Sequence, residues 1–358
     1  MESMNTIKRR ERVTDSNLLF AIAAAIFVLM YGFGILTHGH DFLQAQTFFD
    51  LFNLNAALII LTLAESIVMI GGSIDISIGQ VTALVTMSCA VFLQSGEGSI
   101  GGAILLALGI GIAFGLLQGF LVAYLKIQPF IITLAGMFLA SGLMTTIHED
   151  PINVTMPDFV HLTNFQIVIP WLGTINRNRR FIPLEIMPGT IVVLVLAVVL
   201  VILMNWSRFG RNLYAVGGNN ESALMLGINV KRTRFYSHVL CGLLAGIAGF
   251  VFIMTTGAGN VGNASGFEIK AIAGSIIGGT LLSGGVGNLV GSPFGALTLL
   301  TINELIRAAG INSDFQSIAN GMLLCIFIVL QNVVLRLRGT ESLKLGLPGW
   351  LLPASRSR

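Results

Sequence analysis

The sequence predicts an all-α polytopic membrane protein of about ten transmembrane helices with both termini cytoplasmic, and three observations carry that prediction. Of the 358 residues, 54% are hydrophobic and only 10% charged, against roughly a quarter charged in soluble domains, and the mean hydropathy is +0.85. The 42 glycines suit helices that must approach closely in lipid, where apolar burial gives no drive for association. The cations are sorted along the chain: an inside N-terminus places fifteen Lys and Arg on the inner side and five on the outer.

In chain order, a basic N-terminus, 1–16, carries Lys8, Arg9, Arg10 and Arg12 ahead of the first apolar run, 17–37. That charge order is shared with signal peptides. The length of about 20 residues and the lack of a small-residue cleavage site make it a retained span. Further spans are expected near 51–71, 74–94, 100–125, 129–147, 188–206, 236–256, 269–285, 289–308 and 315–335, closing a transmembrane region over 17–335. The pair 269–308 contains GGTLLSGGVGNLVGSP, so broken or re-entrant helices remain open there beside two full spans. GGSIDISIG in the first half and GGTLLSGGVG in the second hint at paired glycine-rich junctions. A segment at 148–188, rich in proline and holding Phe159, Phe165 and Trp171, reads as an ordered outer cap, either plain surface or a docking element. The inner loop 207–235 holds Arg208, Arg211, Lys231, Arg232 and Arg234, and a basic cytoplasmic tail runs over 336–358.

Polar groups in mid-span need a reason, because hydrocarbon does not solvate them. The second span places Asn55, Thr62 and Ser66 on one face with Glu65 at its edge. The third opens on Asp75 and aligns Ser77, Gln80 and Ser88, and Thr133 lies in the fifth. Such stripes suit a hydroxyl-rich solute, and they equally suit hydrogen bonds between helices. Glu65 is either a structural carboxyl or a pathway residue. Asp75 either meets substrate or accepts from unpaired N–H groups at a helix start. Cys89, Cys241 and Cys325 sit singly in apolar runs, as packing residues do.

Catalytic signatures are missing from the sequence. There is no phosphate-binding GxxxxGK[ST], no GxSxG and no HExxH, and His38 with His40 lacks the acidic or Cys company of a metal site. The loop 207–235 differs in kind. Its run NNESALMLGI is amphipathic, and Gly227 is placed to end a short helix in the left-handed conformation. Such a helix either docks a partner or belongs to a loop that only fixes topology.

The spacing of Glu221, Ala223 and Gly227 resembles the E-x-A-x-x-x-G coupling helix of ABC importer permeases. RFGRNLYAVGGNNESALMLGINVKR, GGSIDISIGQVTAL, QPFIITLAGMFLASG and GGTLLSGGVGNLVG resemble, in order, blocks of the ribose, xylose, arabinose and galactose permease family, closest to its galactofuranose-type members. Ser73 and Ser222 depart from that pattern by small-for-small changes. The resemblance implies a sugar permease of the bacterial inner membrane with no catalytic residues, metal or cofactor of its own. It also implies a second permease subunit, identical or a sister, and a cytoplasmic ATPase that binds ATP and magnesium and is contacted through Arg208, Arg211, Glu221, Ala223, Gly227 and Lys231. An extracytoplasmic sugar-binding protein would complete the system, in the lipid bilayer and without nucleic acid. Asn55, Glu65, Asp75, Ser77, Gln80 and Thr133 would lie along the pathway. Two rivals remain: a permease for branched-chain amino acids or nucleosides, and a proton-coupled secondary transporter using Glu65.

Overall fold

The computed structural model describes residues 2–96, 98–175, 181–312 and 314–337. The basic tail from position 338 and the outer-segment cations Arg177, Arg179 and Arg180 lie outside the described residues. The chain runs α1 (Glu2–Phe42), α2 (Ala45–Asn53), α3 (Ala56–Ile70), α4 (Ile78–Gln94), α5 (Ile100–Ala123), α6 (Pro129–Ile147), β1 (Ile152–Asn153), α7 (Pro157–Asn164), β2 (Ile167–Ile175) and β3 (Phe181–Ile186). It continues with α8 (Pro188–Trp206), α9 (Arg208–Gly218), α10 (Asn220–Met225), α11 (Val230–Thr256), β4 (Ala258–Gly259), α12 (Phe267–Ile277), α13 (Gly291–Ala308) and α14 (Asp314–Leu337).

Among the described residues five helices are long and apolar enough to cross a membrane: Leu18–Gly39 within α1, then α5, α6, α8 and α11. The bent pair α2 and α3 makes a sixth. All fifteen residues of α3 are buried, so this helix is the axis around which the others pack. The tightest pairing is α5 on α11, where glycines replace side chains. A Cβ on Gly115 would lie 2.7 Å from the His238 carbonyl oxygen, and one on Gly111 would overlap that of Gly242. Thr82 and Thr86 of α4 donate to the Ala245 and Gly249 carbonyls of α11 at 3.4 and 3.2 Å, Ser275 donates to the Thr62 carbonyl at 2.9 Å, and the Ser66 and Ser292 hydroxyls meet at 2.6 Å. Of the hydroxyls read from the sequence as stripes, that of Ser66 makes such a helix-to-helix bond, whereas those of Thr62 and Ser88 donate back to Leu58 and Leu84 of their own helices.

Three expected spans are not single straight helices. The stretch 51–71 turns by 61° between α2 and α3. Beside the bend, the side chain of Asn53, the last residue of α2, accepts from the Met187 amide at 3.0 Å and the Thr190 hydroxyl at 2.7 Å and donates to the Glu185 carbonyl at 2.9 Å. The stretch 74–94 becomes helical only at Ile78. The stretch 269–285 is helical only to Ile277, after which a glycine-rich turn leads to α13 at Gly291. The broken alternative is thus the one the chain adopts in this region.

Both breaks use one device. Gly72 and Gly279, at φ of +75° and +95°, close α3 and α12. The amides of Gly72 and Ser73 bond back to the Met69 and Val68 carbonyls at 2.9 and 3.1 Å. Those of Gly279 and Thr280 bond back to Ile276 and Ser275 at 2.9 and 3.0 Å. This double bond pattern needs a left-handed residue, and glycine takes that conformation without a Cβ clash.

The segment after α6 carries strands that the helical reading omits. β2 and β3 form an antiparallel hairpin, and β1 pairs with β4 from the far side of α11. The Gln94 side chain of α4 meets Thr155 at 3.0 Å, so the ends of α4, α6 and α11 share one end of the bundle. Cys89 and Cys241 are buried as expected, whereas Cys325 faces outward from α14.

Candidate functional site

At the opposite end of the bundle, α8 passes into two short helices. Ser207 caps α9, accepting from the Gly210 amide at 3.1 Å, and Asn219 caps α10, accepting from the Ser222 amide at 2.8 Å. Glu221 falls in the first turn of α10, where a carboxylate favours the positive end of the helix dipole. The spacing of Ala223 and Gly227 then has a mechanical meaning. Gly227 sits at φ +75° and bonds to the Leu224 carbonyl at 2.9 Å, while the next amide, of Ile228, reaches the Ala223 carbonyl at 3.0 Å. Ala223 is buried beneath the helix, and Leu224, Met225 and Leu226 project with 60%, 89% and 76% of their surface exposed. Arg208 and Arg211 of α9 and Lys231 and Arg232 of α11, the helices that flank this apolar knob in the chain, are exposed. Ser222 is exposed as well, so its departure from the usual alanine leaves the packed face untouched.

α9 connects that knob to both helix breaks. Leu213 packs against Gly71, and a Cβ on Gly217 would overlap the Ile70 carbonyl oxygen and lie 2.7 Å from the Gly285 nitrogen. Gly285 donates to the Ile70 carbonyl at 2.9 Å, and a Cβ on Gly284 would lie 2.7 Å from the Gly72 Cα. Tyr214 donates its hydroxyl to the Gly287 carbonyl at 3.0 Å, and burial pushes that phenol up to about 12, so it stays a donor. Three glycine pairs from distant parts of the sequence, 71–72, 217–218 and 284–285, therefore meet backbone to backbone.

Deeper in the bundle, the unwound stretch Ser73–Ser77 returns alongside α3 and is held by side chains of several helices. Glu65 Oε1 accepts from the Asp75 amide at 3.2 Å, and Asp75 Oδ1 accepts from the Ser77 amide and hydroxyl at 2.9 and 2.6 Å. Gln118 of α5 donates to the Ser77 hydroxyl at 2.8 Å, and Thr133 of α6 donates to the Ile74 carbonyl at 3.4 Å. His238 Nδ1 of α11 stands 4.0 Å from Asp75 Oδ2. Glu65, Asp75, Ser77, Thr133, Gln118 and His238 are all essentially without solvent contact, as non-helical backbone inside a membrane protein requires. Asp75 lies three residues ahead of the α4 start and accepts from the amide of Ser77, the residue that precedes the helix.

The structure brings Glu65, Asp75, Ser77 and Thr133 of the expected pathway residues into this cluster and leaves Asn55 and Gln80 out of its hydrogen bonds. Asn55 is half-buried at the α3 start, donating to the Leu51 carbonyl at 3.2 Å, and Gln80 is half-buried on α4. Sequence reasoning missed Gln118 and His238. Gln118 is a lone polar residue inside the otherwise apolar α5, and that isolation was the available signal, whereas His238 follows Ser237 close to the basic start of α11 and does not stand out. No group of three or more His, Cys, Asp and Glu residues is placed to hold a metal ion among the described residues.

The described residues thus form a helical bundle with two glycine-capped breaks, linked by backbone contact to an exposed amphipathic helix at one end. The chain belongs to the family described as branched-chain amino acid transport system / permease component, whose family model matches residues 47–330. It is 31% identical over 331 residues to the fructose import permease protein FruG of Bifidobacterium longum, covering 91% of this chain and 94% of that protein. It is 36% identical over 320 residues to the inner membrane ABC transporter permease protein YjfF of Escherichia coli, covering 88% and 92%. It is 29% identical over 293 residues to the ribose import permease protein RbsC of Escherichia coli, covering 82% and 87%. No solved structure matches.

Proposed function

We infer that this chain is the permease subunit of an ABC sugar importer in the bacterial inner membrane. The observation that carries the reading is the α10 knob: Leu224, Met225 and Leu226 exposed on a helix pinned by buried Ala223 and closed by Gly227, in a chain similar to fructose and ribose import permeases. An exposed apolar cluster flanked in the chain by cations fits a groove on another protein. In this reading the groove belongs to a cytoplasmic ATPase that binds ATP and magnesium. Arg208, Arg211, Glu221, Ala223, Gly227 and Lys231 form or frame the contact, and this chain has no nucleotide site of its own.

Ten crossings with both termini inside suit the geometry. The β1–β4 pair gathers the ends of α6 and α11 at one end of the bundle, and the glycine junction gathers the ends of α3, α9 and α12 at the other. A second permease subunit completes the pathway, and an extracytoplasmic sugar-binding protein delivers the substrate to the outer segment. Transport proceeds by alternating access: ATP-driven closure of the motor displaces α10, and the two states differ in how the broken crossings pack. Asn55 and Gln80, being part-exposed, are the pathway residues that touch solute. Glu65, Asp75, Ser77 and Thr133 act on the pathway by fixing the shape of the break.

The family description favours one alternative, a branched-chain amino acid as cargo. Reconstitution with the copurifying ATPase and binding protein, followed by uptake of labelled D-ribose, D-fructose, D-galactose and L-leucine, separates the two. ATP-dependent uptake of a sugar and not leucine is expected. Leucine uptake, or sugar uptake that collapses with a protonophore and ignores ATP, overturns the reading.

A further inference from the structure

We propose that the glycine junction is the transmission of this transporter: Tyr214, Gly217 and Gly218 of α9 are positioning residues that deliver displacement of α10 to both broken crossings at once. The inference rests on the reading of α10 as the contact with the ATPase.

The argument begins with stiffness. α9 is capped at its start by Ser207 and joins α10 through the single residue Asn219, whose side chain caps α10, so the two short helices have little slack between them. The far end of α9 meets its neighbours without side chains. A methyl on Gly217 would enter the Ile70 carbonyl, and one on Gly285 would overlap the Gly218 backbone. Side-chain contacts absorb small shifts by changing rotamer, and backbone contacts do not. The segments are also bonded across the junction, Gly285 N–H to the Ile70 carbonyl at 2.9 Å and the Tyr214 hydroxyl to the Gly287 carbonyl at 3.0 Å. The last turn of α3, the end of α9 and the turn before α13 therefore move as one block.

What the block adjoins gives the arrangement its consequence. Ile70 lies at the end of α3, immediately before the unwound stretch braced by Glu65, Asp75, Ser77 and Gln118, and the 284–287 turn leads directly into α13. Discontinuous helices are the parts of a bundle that change packing at least cost, because their backbone ladder is already interrupted. One input at α10 thus reaches two moving parts, one from each half of the sequence.

The test uses the complete complex in proteoliposomes, reading labelled sugar taken up per ATP hydrolysed, with the sugar chosen as the best substrate of the wild-type panel. Tyr214→Phe removes one hydroxyl and leaves the packing. It is expected to assemble with the ATPase, keep its binding-protein-stimulated ATPase rate within about twofold, and lose about fivefold in sugar per ATP, the worth of one hydrogen bond in the transmitting state. Gly217→Ala is expected to uncouple more completely, and Gly109→Ala, in open space on α5, to leave the ratio unchanged. A merely structural role would lower assembly or both rates together and leave the ratio fixed. An unchanged ratio in Tyr214→Phe therefore overturns the proposal, whether or not Gly217→Ala assembles. Wild-type complex that takes up no sugar with ATP overturns the functional reading itself, and is seen before any variant is read.

Discussion

At the scale of single residues, a buried polar side chain can stand in for the backbone ladder where a helix is broken. Glu65 illustrates this. Its Oε1 is the partner of the Asp75 amide, in a stretch where no helix or sheet ladder is available to that N–H group. Glu65→Gln keeps an acceptor there, whereas Glu65→Leu leaves the amide unpaired in the interior, at a cost of about 1–3 kcal/mol. Thermal unfolding of the detergent-solubilised protein is expected to show Glu65→Leu clearly destabilised and Glu65→Gln close to wild type. Equal behaviour of the two would mean that the hydrogen bond is not what Glu65 contributes. Gly227 makes a different contribution, a conformation. A side chain at φ +75° costs about 1 kcal/mol, and no neighbour lies within 4 Å to obstruct it. Gly227→Ala is thus expected to leave the membrane bundle intact, and to weaken binding of the ATPase about fivefold in a pull-down titration by fraying the α10 cap. Unchanged affinity would detach Gly227 from the docking helix.

At the scale of elements, the long apolar helices were legible because α5, α6, α8 and α11 each satisfy the simple rule of about 20 apolar residues. The breaks were legible only in part. Hydropathy sees composition and is blind to backbone direction, so the runs 51–71 and 269–285 look continuous although the first bends beside Asn53, whose partners are distant in sequence, and the second is interrupted by a left-handed turn at Gly279. The paired glycine motifs were the better clue, and their meaning came from three-dimensional neighbours: Gly72 from Gly284, and Gly217 from Ile70. Short strands in the outer segment were illegible for a related reason, since β1 pairs with β4 across about a hundred residues of intervening chain. Of the candidate site, the coupling spacing could be read because a helix cap is local in sequence. Gln118 and His238 could not be attached to Asp75 and Ser77, because that proximity is made by the α5–α11 pairing. The same pairing gives an element-level prediction. Gly111→Leu forces bulk into the Gly242 carbonyl and is expected to abolish recovery of monodisperse protein, while Gly109→Ala, two residues away and facing open space, is expected to match wild type. Monodisperse Gly111→Leu would show that the two helices do not depend on backbone contact.

At the scale of the whole molecule, the question is which loops share a side of the membrane, and the packing turns it into a labelling experiment. Met225 and Ser283 are exposed at the end of the bundle where Gly217 meets Gly285, and Trp171 is exposed on the hairpin beyond α6, at the end where β1 meets β4. Ile311, between α13 and α14, is 47% exposed. If α12 and its glycine-rich turn complete a crossing, Ser283 must share a side with Met225. If they form a loop that enters and leaves by the outer face, Ser283 stops short of the inner surface. Variants with one accessible cysteine at each of these four positions, made after replacing the outward-facing native Cys325 with serine and leaving the buried Cys89 and Cys241 in place, report the difference through a membrane-impermeant maleimide. Met225→Cys and Ser283→Cys are expected to label only in inside-out vesicles, and Trp171→Cys and Ile311→Cys only in intact spheroplasts. Labelling of Ser283→Cys from outside, or from neither side, would remove one pair of crossings from the bundle. The glycine junction would then lie within the membrane, out of reach of any cytoplasmic motor.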